Sequence, residues 1–160
     1  MGERATEDSG RTVNIHATGI LAGKTGIMIV GHSGSGKSAL AYACLVAARR
    51  EGMESLLVGD DRLDITTNGT EATMRGPSTI AGLLEVRGAG ILRWDTIAQA
   101  PVTLVVRPVD PSRDDRLPPD NELFDLGQGV VRPLIRVPRF IAEPLALIFD
   151  LVQQRDQICR

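Results

Sequence analysis

The stretch Gly31-His32-Ser33-Gly34-Ser35-Gly36-Lys37-Ser38 has the residue types and the spacing to grip a polyphosphate. It fits G-x-x-x-x-G-K-[ST], the P-loop pattern, in which glycines let backbone N–H groups turn inward around phosphate oxygens. In that pattern Lys37 reaches the β- and γ-phosphates and the Ser38 hydroxyl helps to hold Mg²⁺. The chain has only two lysines, Lys24 and Lys37, so a lysine at this point is a specific signal. Asp60-Asp61 offers two further carboxylates: one to help hold Mg²⁺, the other to accept a proton from an attacking hydroxyl. The bland alternative is a solvated Asp-Asp turn. Glu85 and Arg87 frame a turn to Gly88 and Gly90. They read as a metal ligand and a phosphate-neutralising cation, or as an exposed ion pair. His32 falls on a variable position of the loop. His16 reads by spacing either as a hydrogen-bonded core histidine or as a group beside the loop. Arg116, within Asp114-Asp115-Arg116-Leu117-Pro118, is a surface arginine or a bidentate phosphate clamp.

These groups need elements to position them. An apolar run over 26–30 precedes the loop and another over 39–48 follows it, the strand–loop–helix context that the motif requires. The helix N-terminus then adds positive dipole beside the phosphates. Alternation predicts a strand over 13–18 and a turn over 23–26. The helix is expected over 37–50, stopping at Gly52. A buried strand over 55–59 delivers Asp60 and Asp61 to the carboxyl edge of the sheet, where ligands bind in open α/β folds. Strands over 62–67 and 71–75 flank an Asn68-Gly69 hairpin. Ser78 is expected to cap a short helix over 79–83, which a glycine-rich turn then leaves. A strand over 101–106, a loop over 107–129, a strand over 130–138 and a helix over 144–155 complete the chain, Pro144 standing in that helix's first turn. This order predicts an α/β fold: a P-loop-containing mixed sheet with flanking helices.

Composition narrows the classes. The chain has 160 residues, 42% of them hydrophobic and 24% charged, with a net charge of −2. That is one globular domain, with no basic excess to mark a general nucleic-acid binder. Aromatic residues make up 3%, which removes the usual base-stacking platforms. No apolar run reaches the ~18 residues of a membrane span, and the N-terminus lacks a secretory segment. A cytoplasmic protein without membrane insertion is expected. Residues 1–11 are polar and expected to be disordered. Cys44 and Cys159 lack a C-x-x-C partner and read as reduced thiols, not as zinc ligands.

In register, these pieces resemble a known family. Ile15-His16-Ala17 ahead of the loop, the loop itself, Val58-Gly59-Asp60-Asp61-Arg62-Leu63-Asp64 and Leu84-Glu85-Val86-Arg87-Gly88-Ala89-Gly90-Ile91 are similar to the catalytic domain of HPr kinase/phosphorylase. The last string is the most specific. The likeness runs from about His16 to Arg116, and more weakly to the C-terminal helix. The nucleotide core also resembles that of phosphoenolpyruvate carboxykinase. The resemblance implies a catalytic domain over 12–160 that uses ATP and Mg²⁺ to phosphorylate a serine of an HPr-like phosphocarrier, with phosphorolysis as the reverse reaction. It implies that Gly31, His32, Ser33, Gly34, Ser35, Gly36, Lys37 and Ser38 bind the triphosphate. It assigns Ser38 and Glu85 to Mg²⁺, with Asp60 supporting the metal, and makes Asp61 the base. His16 and Arg116 match active-site positions of the family. A short form with only the C-terminal catalytic domain is expected, and a homo-oligomer. The chain departs from the family pattern in a shortened turn, Arg93-Trp94-Asp95-Thr96, and in Ala142-Glu143-Pro144 where a Gly-Arg-Asn-like motif is usual. An alternative function is an ATP-binding regulator that contacts a carrier or a two-component sensor kinase with little turnover.

Overall fold

Period-two alternation in the apolar strands feeds two cores, one on each face of a central sheet. A computed structural model of the protein describes residues 10–158. The expected disorder of residues 1–9 lies outside the described residues, and Arg11 already belongs to the first strand. The elements are β1 (Arg11–Ile15), β2 (Ala17–Ala22), β3 (Thr25–Val30), α1 (Lys37–Arg50), β4 (Ser55–Gly59), β5 (Leu63–Asn68), β6 (Glu71–Arg75), a 3₁₀ turn (Ser78–Ile80), β7 (Leu83–Val86), β8 (Gly90–Arg93), β9 (Gln99–Pro101), β10 (Leu104–Val109), β11 (Leu123–Asp125), β12 (Val131–Pro138) and α2 (Pro144–Ile158).

Six strands form the central sheet in the order β11-β12-β10-β3-β2-β4. β3, β10 and β12 run parallel, while β2 is antiparallel to both β3 and β4. Ile27 and Ile29 point to one face, where they meet Leu40, Ala41, Cys44, Leu45 and Ala48 of α1 and Leu145 and Ile148 of α2. Met28 and Val30 point to the other, against Leu63, Ile65, Met74 and Ala100. Those four belong to or border an antiparallel sheet of order β1-β5-β6-β9. The layers are therefore helices, mixed sheet, antiparallel sheet. Cys44 is fully buried in the first core, and that burial pushes its thiol up to about 12. Among the described residues no helix is long and apolar enough to cross a membrane.

The alternation over 13–18 is not one strand. β1 pairs with β5 in the antiparallel sheet, β2 pairs with β3 and β4 in the central sheet, and the chain changes sheet at His16. The same change occurs between Gly59, which ends β4, and Leu63, which opens β5. Ile15 lies opposite Leu63, and Gly19 opposite Gly59. Two crossings between sheets thus run side by side, one carrying His16 and the other Asp60 and Asp61. The helix expected over 79–83 is only the 3₁₀ turn, with no cap from the Ser78 side chain. The glycine-rich turn after it closes a β7–β8 hairpin, Glu85 opposite Ile91. The loop expected over 107–129 contains β11, an edge strand on β12.

Glycine contact fixes the second crossing. A Cβ on Gly59 would lie 2.7 Å from Gly76 Cα, and one on Gly76 would lie 2.8 Å from Gly59 Cα and run into the Val58 carbonyl oxygen. Backbone meets backbone here, so no side chain can yield. Gly76→Ala is expected to cost about 1–3 kcal/mol by overpacking. The loss is read as a lower urea midpoint with an unchanged slope; an unchanged midpoint would show that the two segments are not held together in solution.

Candidate active site

The loop after β3 and the N-terminus of α1 form the floor of a cleft of about 630 Å³. Gly34 and Gly36 adopt φ of 79° and 96°, the left-handed region that glycine enters without strain. Gly36 stands at the N-cap of α1 and offers no side-chain cap, which leaves the first-turn N–H groups facing the cleft. Ser35 Oγ is buried without a hydrogen-bond partner. An orphaned donor under a glycine loop at a helix N-terminus is the arrangement of an anion cradle, so the loop fits a phosphate group.

Lys37 is only 6% exposed. Its ammonium donates to Gly31 O at 2.9 Å, to His32 O at 3.1 Å and to His16 Nε2 at 3.0 Å. Lysine has no acceptor, so His16 Nε2 must accept. The His16 proton then sits on Nδ1, which lies 3.0 Å from Asp61 Oδ1. That network assigns a neutral imidazole donating to an ionised Asp61. Asp61 is itself 68% exposed on its side chain, so its carboxylate is open to a substrate. Its φ is 72°, and Arg62 N–H donates to Asp60 O at 3.0 Å across it. This is a γ-turn of positive φ, a rare and strained form.

Asp60 is the buried partner of the pair. Its Oδ1 accepts from Thr18 Oγ1 at 2.7 Å, Ser38 Oγ at 2.8 Å and Asp61 N–H at 3.1 Å; its Oδ2 accepts from Glu85 N–H at 3.0 Å. All four bonds of the carboxylate expected to support the metal go to protein donors. Its carboxylate is engaged by protein donors and holds Ser38, Asp61 and Glu85 in place. Ser38 donates its proton to Asp60, which leaves its lone pairs for a cation. The Glu85 and Arg87 side chains face the same cleft, with Arg87 Nη2 3.5 Å from Ser33 Oγ. Among the described residues no group of three or more His, Cys, Asp or Glu converges to hold a metal alone. Mg²⁺ typically takes one or two protein ligands and completes its shell with phosphates and water, so Ser38 and Glu85 fit that ion as a nucleotide would bring it.

One expected residue is not brought in. Arg116 does not line the cleft. The turn after β10 is tied by Asp110 N–H donating to an Asp114 carboxylate oxygen at 2.6 Å, and residues 111–121 stand wholly exposed. His32 contributes its carbonyl to Lys37, while its ring Nδ1 lies 2.8 Å from Ser33 O. Conversely, the sequence reading passed over Thr18, Arg139 and Phe140. Arg139 and Phe140 line the cleft, and their one signal was their position just past the end of a strand running parallel to β3.

Two outcomes follow from these bonds. Asp60→Ala strands four donors in a buried place and is expected to cost about 2–4 kcal/mol, against about 1 kcal/mol for Thr18→Val; equal, small losses in urea melts would deny Asp60 this anchoring. Burial pushes the Lys37 ammonium below its ordinary 10.5, Asp61 and Asp60 pull it back up, and Arg87 pushes it down. The unfolded chain then keeps this proton to higher pH than the folded one, so this group makes stability rise with pH through that alkaline interval. Lys37→Met is expected to remove that rise from the difference between the two proteins' stability–pH curves.

The family model described as HPr Serine kinase C-terminal domain matches residues 8–100. The HPr kinase/phosphorylase of Clostridium beijerinckii is 31% identical over 135 residues, which cover 78% of this chain and 42% of that protein. The chain thus spans less than half the length of that curated relative. A solved structure, the Hpr(Ser) kinase/phosphatase from Coxiella burnetii, superposes with a TM-score of 0.69 at 26% identity, over 92% of this chain and 98% of that one. With more than half of its length in that match, and the loop, the acidic pair and Glu85 inside it, the chain belongs to the HPr serine kinase C-terminal domain family.

Proposed function

We propose that this protein is an ATP-dependent serine protein kinase that phosphorylates an HPr-like phosphocarrier. The observation that carries this reading is the hydrogen-bonded line Lys37–His16–Asp61, which places an exposed carboxylate beside the cation of a phosphate cradle. The residues divide the work. The 31–38 loop and the N-terminus of α1 bind the triphosphate, and Lys37 gives up one of its present acceptors for a phosphate oxygen. Ser38 and Glu85 hold Mg²⁺, which when bound offsets the phosphate charge. Asp61 takes the proton of the attacking serine hydroxyl, using the oxygen that His16 leaves free. His16 fixes the direction of that carboxylate, and Asp60 keeps Ser38, Asp61 and Glu85 in register. In the phosphorolytic direction Asp61 returns the proton. Positioning and charge neutralisation supply most of the acceleration in phosphoryl transfer, and proton transfer to a placed base adds about 10²–10⁴.

Asp61→Asn keeps the shape of the side chain and removes its basicity. It is expected to lower phosphate transfer to the carrier by about 10²–10⁴ with ATP affinity unchanged. Lys37→Met is expected to weaken Mg-ATP binding about 10- to 100-fold, the loss of charged hydrogen bonds. Intact mass of the carrier after incubation with Mg-ATP reads the first, and calorimetric titration the second. ATP binding without transfer to any HPr-like carrier would replace the kinase by a nucleotide-dependent regulator.

A further inference from the structure

The loop after β3 has two flanks. β4 runs in the same direction as β3, since both are antiparallel to β2, and its carboxyl end brings Asp60 and Asp61 to one flank. β10 and β12 are parallel to β3 on the other side, so the segments that follow them reach the opposite flank of the same edge. The groups assigned above to the reacting phosphate all lie on the β4 flank or on the loop. A triphosphate laid along the loop with its terminal group there sends its nucleoside toward the β12 flank.

That flank carries Arg139 and Phe140. Arg139 packs against the loop: a Cβ on Gly36 would lie 4.0 Å from Arg139 Cβ. Its guanidinium donates to an Asp110 carboxylate oxygen at 2.6 Å, and its N–H donates to Val109 O at 3.1 Å. The pinned guanidinium lies 4.9 Å from the centroid of the Phe140 ring, within cation–π range. Phe140 is 82% exposed and lines the cleft. The other aromatics are engaged elsewhere. Tyr42 and Trp94 meet edge to face at 5.9 Å, and Phe124 and Phe149 pack on the two cores. In a chain this poor in aromatics, the most exposed ring stands in the cleft, beside a cation fixed against the loop.

We propose that Phe140, steadied by Arg139, is the stacking platform for the nucleobase of the bound nucleotide. The assignment rests on the nucleotide-binding reading above and adds a site to it. Every base offers a π-face, and stacking on an aromatic side chain is worth enough to measure by alanine substitution. The guanidinium adds attraction for a polarisable ring and for the α-phosphate that precedes the sugar.

The test titrates the whole 160-residue protein with Mg-ATP and, separately, with magnesium tripolyphosphate, which keeps the phosphates and lacks the base. Phe140→Ala is expected to weaken ATP about tenfold and to leave tripolyphosphate unchanged, while Phe140→Trp restores ATP. The exposure of Phe140 keeps the fold out of the comparison, and a urea melt checks it. Equal ATP affinity in wild type and Phe140→Ala would overturn the platform, and so would an equal loss for both ligands. An unchanged ATP affinity with loss of transfer to the carrier would also overturn it and assign the ring to the protein substrate. Failure of the wild type to bind either ligand would instead overturn the nucleotide-binding reading, a result the tripolyphosphate arm makes distinguishable.

Discussion

The site depends on one buried carboxylate. Asp60 gathers a hydroxyl from β2, a hydroxyl from the first turn of α1, the N–H of the strained Asp61 and an N–H from β7. A charge taken out of water is costly unless hydrogen bonds replace its hydration, so these four donors are as necessary to Asp60 as it is to them. The consequence is geometric. Central sheet, helix and β7–β8 hairpin are tied at one point, and Ser38, Asp61 and Glu85 are positioned by the same two oxygens. A carboxylate is suited to this because it only accepts, with room for several donors.

Two neighbouring chain crossings supply the second constraint. His16 and Asp61 are not adjacent on one element; each stands where the chain leaves one sheet for the other. Because Ile15 pairs with Leu63 and Gly19 with Gly59, the residues between must face each other, and the 3.0 Å contact between His16 and Asp61 follows. The close approach of Gly59 and Gly76 holds the second crossing in register. Lys37 then joins from α1, so the line Lys37–His16–Asp61 spans three segments far apart in sequence.

Most of the fold was legible where one local pattern dominates. The apolar run before the loop, the 14-residue helix after it, the Asn68-Gly69 hairpin and the terminal helix all form as their residues dictate. The family likeness also placed Lys37, Ser38, Asp61 and Glu85 at one site, and the structure brings them together. What was not legible is what long-range pairing decides. Alternation over 13–18 carries no mark that the chain changes sheet at His16, since both halves are half-buried strands. The Asp60 role was hidden because Thr18 and Glu85 N–H reach it only through tertiary structure, and a backbone donor has no sequence signature. Arg116 differs in the opposite way: an arginine in a polar, acidic loop resembles a phosphate clamp, while the Asp110–Asp114 turn holds the segment in solvent, away from the cleft. Arg139 and Phe140 reach the cleft because β12 lies two strands from β3 in the sheet, a fact of topology alone.

The site also concentrates the departures from a fully satisfied fold. Ser35 Oγ is buried without a partner, Asp61 holds a positive φ, Lys37 is a buried cation whose charge the surroundings disfavour, and Phe140 exposes an aromatic ring. Each costs free energy, of order 1–3 kcal/mol for an orphaned donor or a strained dihedral. They share one remedy. On the nucleotide-binding reading proposed above, an anion in the loop would give Ser35 an acceptor and Lys37 a countercharge, and a flat base would cover the ring. Local cost that a single ligand relieves differs from random imperfection, because it converts binding into rigidity where the reacting groups must be still. The strain at Asp61 is the exception: no ligand contact relieves a γ-turn. It persists because Asp60 holds the Asp61 N–H from within, and that turn leaves the Asp61 carboxylate open to solvent and hydrogen-bonded to His16.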